Sequence, residues 1–289
     1  MTAIRGGFRW VAALIGALLL FMGTEVLCAV CVTLFAATRS PGLPYGASDL
    51  VLISTLVAQV LLFVVGVFWY RNLRFERSFR PIDYGKGRFK GPEAAPVPAH
   101  RSLRHILAEV LLLLLLGVCL QIVISSLLSL VALVLPHLMD SYNEMMEGVA
   151  GTSWLSVVSV ALLAPLCEEV YFRGVCLQLA RRIHPDLRVA VIAQALVFAI
   201  AHGNLVQGLY AFFLGIILGA VVLRAGGLPA SMVLHFAINM SSYSVGLAFD
   251  EMAGSGLPGY IALIALAAVA TVTLLRVLLR RQGTGSSDR

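Results

Sequence analysis

Charged residues are scarce in this chain, since Asp, Glu, Lys and Arg together make up 12% of its 289 residues. Soluble domains carry about 25%, so this shortage excludes an ordinary soluble domain. Lysine is nearly missing, because Lys86 and Lys90 are the only lysines among 21 basic residues. Hydrophobic residues make up 60% of the chain, and the mean hydropathy is +0.92. This composition indicates a protein that lies in a lipid bilayer.

Cysteine is also sparse, and its five occurrences do not complete a metal motif. Cys28 and Cys31 are spaced like half of a zinc or redox motif, but the sequence holds no second pair of this kind. All five cysteines lie in apolar segments, where this residue packs as a small hydrophobe. The net charge of +6 falls in the connections between apolar segments. We therefore expect membrane lipids as partners and no nucleic acid.

Long apolar segments dominate the rest of the chain. About 20 apolar residues cross roughly 30 Å of hydrocarbon, and a helix satisfies every backbone polar group within the segment. The sequence therefore predicts an all-α, polytopic membrane protein with about eight transmembrane helices. The predicted spans are residues 10–37, 50–70, 106–135, 154–180, 189–203, 206–223, 229–248 and 258–278.

Basic residues mark every second connection between these spans. Arginines cluster in residues 71–105 and 181–188, at Arg224 and at the end of the last span, whereas the 136–153 connection is acidic and is predicted to be a loop. By the positive-inside rule, both termini are expected in the cytoplasm. Because arginine so strongly outnumbers lysine, a GC-rich bacterial genome is the expected source, and the bacterial plasma membrane the expected location.

Two adjacent glutamates lie in the fourth predicted span. Ionisable residues are costly in hydrocarbon and usually mark a functional site. Glu169 and Arg173 are four residues apart and share a helix face, so we predict a supporting, mainly structural ion pair. Glu168 lies about 100° around the helix from Glu169. Glu168 is therefore the candidate general base.

Two histidines lie in later spans. His202 follows Phe198 by one turn, and Pro185 lies 17 residues from both His202 and Glu168. If Pro185 marks the turn of an antiparallel hairpin, Glu168 and His202 lie at matching depth. Glu25, in the first span, falls outside this pattern, and its simplest interpretation is a protonated carboxyl or a hydrogen bond to a neighbouring helix.

His235 and Asn239 are four residues apart in the seventh predicted span and share a face. With Glu168 and His202 they can activate water and hold an oxyanion. Alternatively, Glu168, His202 and His235 can ligate a zinc-type divalent metal ion. Both alternatives stay open, and single residues also have structural alternatives, such as a satisfied core histidine for His202 or an interhelical hydrogen bond for Asn239.

Three motifs occur in order along the chain: Glu168-Glu169-x-x-x-Arg173, Phe198-x-x-x-His202 and His235-x-x-x-Asn239. They resemble, in order and spacing, the motifs of the CPBP family, which includes type II CAAX prenyl endopeptidases and Abi proteins. The resemblance covers about residues 105–250. It implies an eight-helix intramembrane protease with a cavity open to the cytoplasm. It also implies that Glu168 and His202 activate water while His235 and Asn239 stabilise the oxyanion, with Phe198 in support. Members have been described both as metalloproteases and as glutamate proteases.

On this basis we divide the chain into three parts. Residues 1–104 form a two-span region with a basic cytoplasmic linker, residues 105–250 form the CAAX-protease-like catalytic core, and residues 251–289 form the last span and a disordered basic tail. We predict an endopeptidase that hydrolyses a peptide bond of a protein or peptide substrate, membrane-associated or lipidated, near the cytoplasmic face. One alternative is a non-catalytic scaffold or bacteriocin-immunity partner of the same fold. Another is a transporter or channel in which the same groups carry protons.

Overall fold

The architecture is helical throughout the described part of the chain. A computed structural model describes residues 2–39, 47–75, 102–149, 153–184, 186–225, 227–252 and 257–280. All regular elements in these ranges are helices, and six of the helices are long and apolar enough to cross a membrane. The protein is an integral membrane protein of the all-α class, which confirms the predicted fold class.

The first part of the chain contains three long apolar helices and one shorter helix: α1 (Thr2–Arg39), α2 (Ala47–Phe75), α3 (Leu103–Val134) and α4 (Pro136–Val149). Large apolar side chains such as Leu19, Phe68 and Leu111 are exposed on the three long helices. Such side chains face lipid in a membrane, where burial against protein is not needed to remove them from water.

The fourth span is the helical segment Trp154–Ile183, and it is not a regular α-helix. It consists of α5 (Trp154–Val157), π1 (Val158–Leu163), α6 (Ala164–Glu168), π2 (Glu169–Cys176) and α7 (Leu177–Ile183). The π1 segment precedes Pro165, whose ring and missing N–H disturb the regular hydrogen-bond pattern of the preceding turn. Segments of π-helix occur frequently at functional sites. The α6–π2 junction falls between Glu168 and Glu169.

The remaining helices are α8 (Leu187–Ala201), α9 (Leu205–Arg224), α10 (Leu228–Met252) and α11 (Leu257–Arg280). The predicted break between the fifth and sixth spans is confirmed at Gly203, which has a φ of 66°. Asn204 then accepts hydrogen bonds from the backbone N–H groups of Val206 and Gln207 at 2.9 and 3.1 Å. Such a side-chain acceptor satisfies donors at the start of a helix.

One sequence prediction was wrong, because residues 136–149 form α4 and not a loop. Pro136 occupies the first position of α4, where its missing N–H costs no helical hydrogen bond. Met139 and Tyr142, three residues apart, are both buried. The acidic residues of this segment lie on an amphipathic helix and do not mark an irregular connection.

The number of membrane crossings is supported only in part. Six helices satisfy the length and apolarity of a span, while α8 is shorter, at 15 residues. The polar residues His235, Asn239 and Ser241 lower the apolarity of α10. The assignment of α8 and α10 as the two further spans stays a prediction.

The chain divides into two compact units, and the first contains residues Met1–Glu93 and Ser141–Gly219. Its centre is formed by Tyr171, Phe172, Arg173 and Phe198, all nearly inaccessible. Gly215 and Gly219 of α9 allow a close approach to α8, since a Cβ atom on Gly215 would lie 2.9 Å from Ala195 and one on Gly219 would lie 2.9 Å from Gln194. The Gln194 side chain donates a hydrogen bond to the Gly215 carbonyl at 2.7 Å.

The second unit contains residues Ala94–Asp140 and Ala220–Arg289. In it, α3 packs against α10 and α11. Gly117 allows a close approach of α3 to α10, because a Cβ atom there would lie 3.0 Å from the Ala237 backbone. The predicted domain boundaries at 104/105 and 250/251 stay predictions. Residues 76–101 of the basic linker, Pro185 at the predicted turn and the tail from residue 281 lie outside the described residues.

Candidate active site

A buried ion pair lies at the centre of the first unit. The Nη1 atom of Arg173 and the Oε1 atom of Glu169 are 2.9 Å apart, and both side chains are fully buried. The Arg173 guanidinium also lies over the ring of Phe198, 4.1 Å from its centroid. Opposite charge and an aromatic face compensate part of the cost of desolvating these groups. The ion pair predicted from the four-residue spacing is confirmed.

Glu168 differs from its neighbour, because its side chain is only half-buried. Glu168 is the last residue of α6, and Glu169 is the first residue of π2. The change of helix type therefore occurs between the two carboxylates, and the two side chains leave the segment in different directions. One carboxylate is enclosed with Arg173, and the other is only partly covered by the protein.

Phe198 connects the two arms of the predicted hairpin. Its ring centroid lies 5.0 Å from that of Phe172 in the fourth span and 4.6 Å from that of His202 on α8. Phe172 follows Glu168 by four residues, and Phe198 precedes His202 by four. Since the two segments are antiparallel, one turn beyond the Phe172–Phe198 contact leads to Glu168 on one arm and to His202 on the other. This register supports the prediction of matching depth.

The orientation of His202 is set by its own helix. Its Nδ1 atom lies 2.7 Å from the carbonyl oxygen of Phe198. A carbonyl only accepts, so Nδ1 donates and carries the hydrogen in the neutral ring. The Nε2 atom is then the acceptor nitrogen of the imidazole. His202 is half-buried at the carboxyl end of α8, and this tautomer is suited to accept a proton.

Tyrosines from two further helices approach this region, and the sequence analysis did not identify them. The Tyr210 hydroxyl on α9 lies within electrostatic range of Glu168. The rings of Tyr210 and Tyr142 meet edge to face, with centroids 6.4 Å apart. Burial raises the pKa of Tyr142, and its hydrogen bond to Tyr210 lowers that pKa in part. No spacing rule relates residues 142, 168 and 210, so only the folded chain reveals this neighbourhood.

His235 and Asn239 belong to the second unit. Both lie on α10, where His235 is 4% exposed and Asn239 is half-buried. They are four residues apart and share a face. Ala237, midway between them, points about 200° away from His235 and packs towards Gly117 of α3. The α3 contact thus fixes the rotation of α10 and the direction of the predicted oxyanion residues.

The first unit brings together Glu168, Glu169, Arg173, Phe198 and His202. The joint action of these residues with His235 and Asn239 of the second unit stays a prediction. Among the described residues, no three His, Cys, Asp or Glu side chains are grouped in a way that could hold a metal ion. The zinc-type alternative stays a prediction, and the chemistry below uses these side chains alone.

Comparison with known proteins identifies the segment that holds these residues. Residues 150–241 match the family model of the Rce1-like type II CAAX prenyl endopeptidases. Over this segment the chain resembles an Rce1-like domain. This domain contains all seven residues of the three predicted motifs, so the predicted family resemblance is confirmed.

The chain is also similar to a curated protein of Escherichia coli, described as an uncharacterized 24.3 kDa protein. The two are 32% identical over 99 residues, which is 33% of this chain and 44% of the relative. The chain thus spans less than half the length of that relative. No solved structure matches the chain.

Proposed function

We propose that this protein is an intramembrane endopeptidase whose general base is Glu168. One observation carries the proposal: Glu168 is half-buried beside the sealed Glu169–Arg173 pair, and the hairpin register brings it level with His202. A carboxylate and a neutral imidazole at one level are the groups that general-base catalysis of hydrolysis uses. The Rce1-like domain that surrounds them supports the same class of reaction.

The proposed reaction begins with a water molecule that donates one hydrogen bond to Glu168, while the Nε2 atom of His202 assists by accepting the proton from Glu168 on its way to the leaving group. Glu168 accepts a proton from this water, and the water oxygen attacks the carbonyl carbon of the scissile peptide bond. The carbonyl oxygen becomes an oxyanion, for which we assign His235 and Asn239 as hydrogen-bond donors, because donors aimed at developing charge lower the barrier. The C–N bond then breaks, and the proton held by Glu168 passes to the leaving amine.

The Glu169–Arg173 pair has a supporting part in this proposal. The pair is fully buried and Arg173 lies over Phe198, so Glu168, which is half-buried, is the carboxylate to which we assign the water. Stacking of Arg173 on Phe198 also fixes the carbonyl and ring that orient His202. Loss of this pair is therefore expected to disturb the fold first and the reaction only through the fold.

We place the reaction near the cytoplasmic face of a bacterial plasma membrane, with both termini in the cytoplasm. The arginine-rich connections support this orientation through the positive-inside rule. The substrate is a peptide or protein segment that reaches the bilayer, either as a membrane-associated chain or through a lipid anchor. A prenyl group is one example of such a lipid anchor. The positions of Glu168 and His202 concern the peptide bond and do not select a particular anchor.

The proposal is tested by comparing peptide termini in cells that express the wild-type protein or the Glu168→Ala variant. Quantitative proteomics should find new peptide termini in membrane-associated proteins of cells with the wild-type protein and not in cells with Glu168→Ala. Glu109→Ala, which removes another half-buried carboxylate, is the control and should give the wild-type termini. If both variants produce the same new termini as the wild type, the assignment of Glu168 is wrong.

A further inference from the structure

A buried stripe on α1 packs along the fourth span. Ala17, Phe21 and Glu25 are each four residues apart and share one face of α1. Ala17 is fully buried, Phe21 is 8% exposed, and Cys28, one turn beyond Glu25, is 7% exposed. By contrast Val26, beside Glu25, is 64% exposed. Glu25 thus lies on the protein-facing side of a helix whose other sides are exposed.

The contacts along this stripe define the register of the two helices. The Tyr171 hydroxyl donates a hydrogen bond to the Ala17 carbonyl at 2.7 Å. One turn further along α1, the Phe21 ring lies 5.2 Å from that of Tyr171 and 4.9 Å from that of Phe172. At the other end, Arg182 lies over the Trp10 ring at 5.0 Å. Earlier residues of α1 contact later residues of the fourth span, so the two helices are antiparallel.

This register brings Glu25 opposite Glu168. From the contact of Phe21 with Phe172, one turn forward on α1 reaches Glu25 and one turn back on the fourth span reaches Glu168. The charge of Glu168 indeed reaches the Glu25 carboxylate. Both side chains are half-buried. Two carboxylates that face each other in a region of low dielectric repel unless a proton or a hydrogen-bond donor lies between them.

We propose that Glu25 is a positioning residue of the peptidase site, whose carboxylate accepts a hydrogen bond from the water molecule that Glu168 deprotonates. This inference rests on the proposed function. A water molecule has two hydrogens, and Glu168 takes only one of them. A second acceptor on the opposite helix fixes the other hydrogen and hence the direction of the attacking lone pair. The same water relieves the repulsion between the carboxylates.

The test uses the peptide that the comparison of wild-type and Glu168→Ala cells identifies, synthesised with a fluorophore and a quencher. Glu25→Ala should lower kcat on the order of 100-fold, as expected when a reacting group is misplaced by about 1 Å, with KM and the melting temperature unchanged. Glu25→Gln keeps an oxygen acceptor and should restore most of kcat. Glu109→Gln is the matched control and should behave like the wild type.

Three outcomes overturn the inference: an unchanged kcat in Glu25→Ala, a Glu25→Gln variant as slow as Glu25→Ala, or a lower melting temperature of Glu25→Ala that accounts for its loss of activity. The proposed function stays intact in each case as long as Glu168→Ala is inactive. If no cleaved peptide distinguishes the wild type from Glu168→Ala, the proposed function fails first, and this inference falls with it.

Discussion

The first and the fourth spans are similar in length but differ in their surroundings. Gly7–Thr38 has 32 residues, and an 18-residue apolar stretch within it has a mean hydropathy of 2.3 and is 17% buried. Trp154–Ile183 has 30 residues, and its corresponding stretch has a mean hydropathy of 1.6 and is 56% buried. The less apolar helix is the more buried, because its polar groups need protein partners in a medium that supplies none. Of these two spans, the one of higher hydropathy is therefore the more exposed to lipid, and the one of lower hydropathy is the more enclosed by protein.

The two spans also place their carboxylates differently. The fourth span holds Glu169 in a sealed ion pair and Glu168 at a half-buried position. The first span holds Glu25 on a narrow stripe that includes Ala17 and Phe21. The fourth span thus holds the carboxylate of the ion pair and the carboxylate proposed to react, and the first span contacts the protein through a single face. This difference predicts unequal effects of substitution.

The largest effect on stability is expected at Arg173 in the fourth span. Arg173→Ala leaves Glu169 as a buried charge without its cation, which costs about 3–5 kcal/mol. Thermal unfolding in detergent and the yield of membrane-inserted protein measure this loss. Arg181→Ala, at an exposed position of the same span, is the control. The double variant Glu169→Gln/Arg173→Met should recover most of the stability, and a double variant as unstable as Arg173→Ala would contradict the ion-pair explanation.

A smaller effect is expected where the two spans meet. Tyr171→Phe removes the hydrogen bond to the Ala17 carbonyl but keeps the ring contacts with Phe21. The expected loss is about 1 kcal/mol, measured by thermal unfolding. Val26→Ala, on the exposed side of the first span, should change stability by less than about 0.5 kcal/mol. If Val26→Ala destabilises more than Tyr171→Phe does, the assignment of the protein-facing side of α1 is wrong.

Much of this arrangement could be predicted from local sequence. The four-residue spacing of Glu169 and Arg173 is a helical rule that holds even though the segment adopts π2. Equal distances from Pro185 predict that Glu168 and His202 lie at the same depth, and the contacts of Phe198 support that register. Apolar length located the long helices to within a few residues. These features depend on spacing along one segment or across one short turn.

The remaining features depend on contacts between segments that are far apart in the sequence. In the sequence Glu25 is an isolated polar residue. Its position opposite Glu168 follows only from the contacts of Tyr171 with Ala17 and Phe21, which define the register of α1 against the fourth span. Tyr142 lies in α4, whose acidic residues led to the prediction of a loop, and its partner Tyr210 comes 68 residues later. No pattern of charge or hydropathy encodes such pairings.

The two adjacent carboxylates are proposed to have separate tasks, one in the reaction and one in the fold. The most direct test measures peptide cleavage and thermal unfolding of Glu168→Gln and Glu169→Gln side by side. Glu168→Gln should have the melting temperature of the wild type and should not cleave the identified peptide. Glu169→Gln should melt at a lower temperature but should cleave the peptide while it remains folded. A Glu168→Gln protein that cleaves at the wild-type rate would contradict the account.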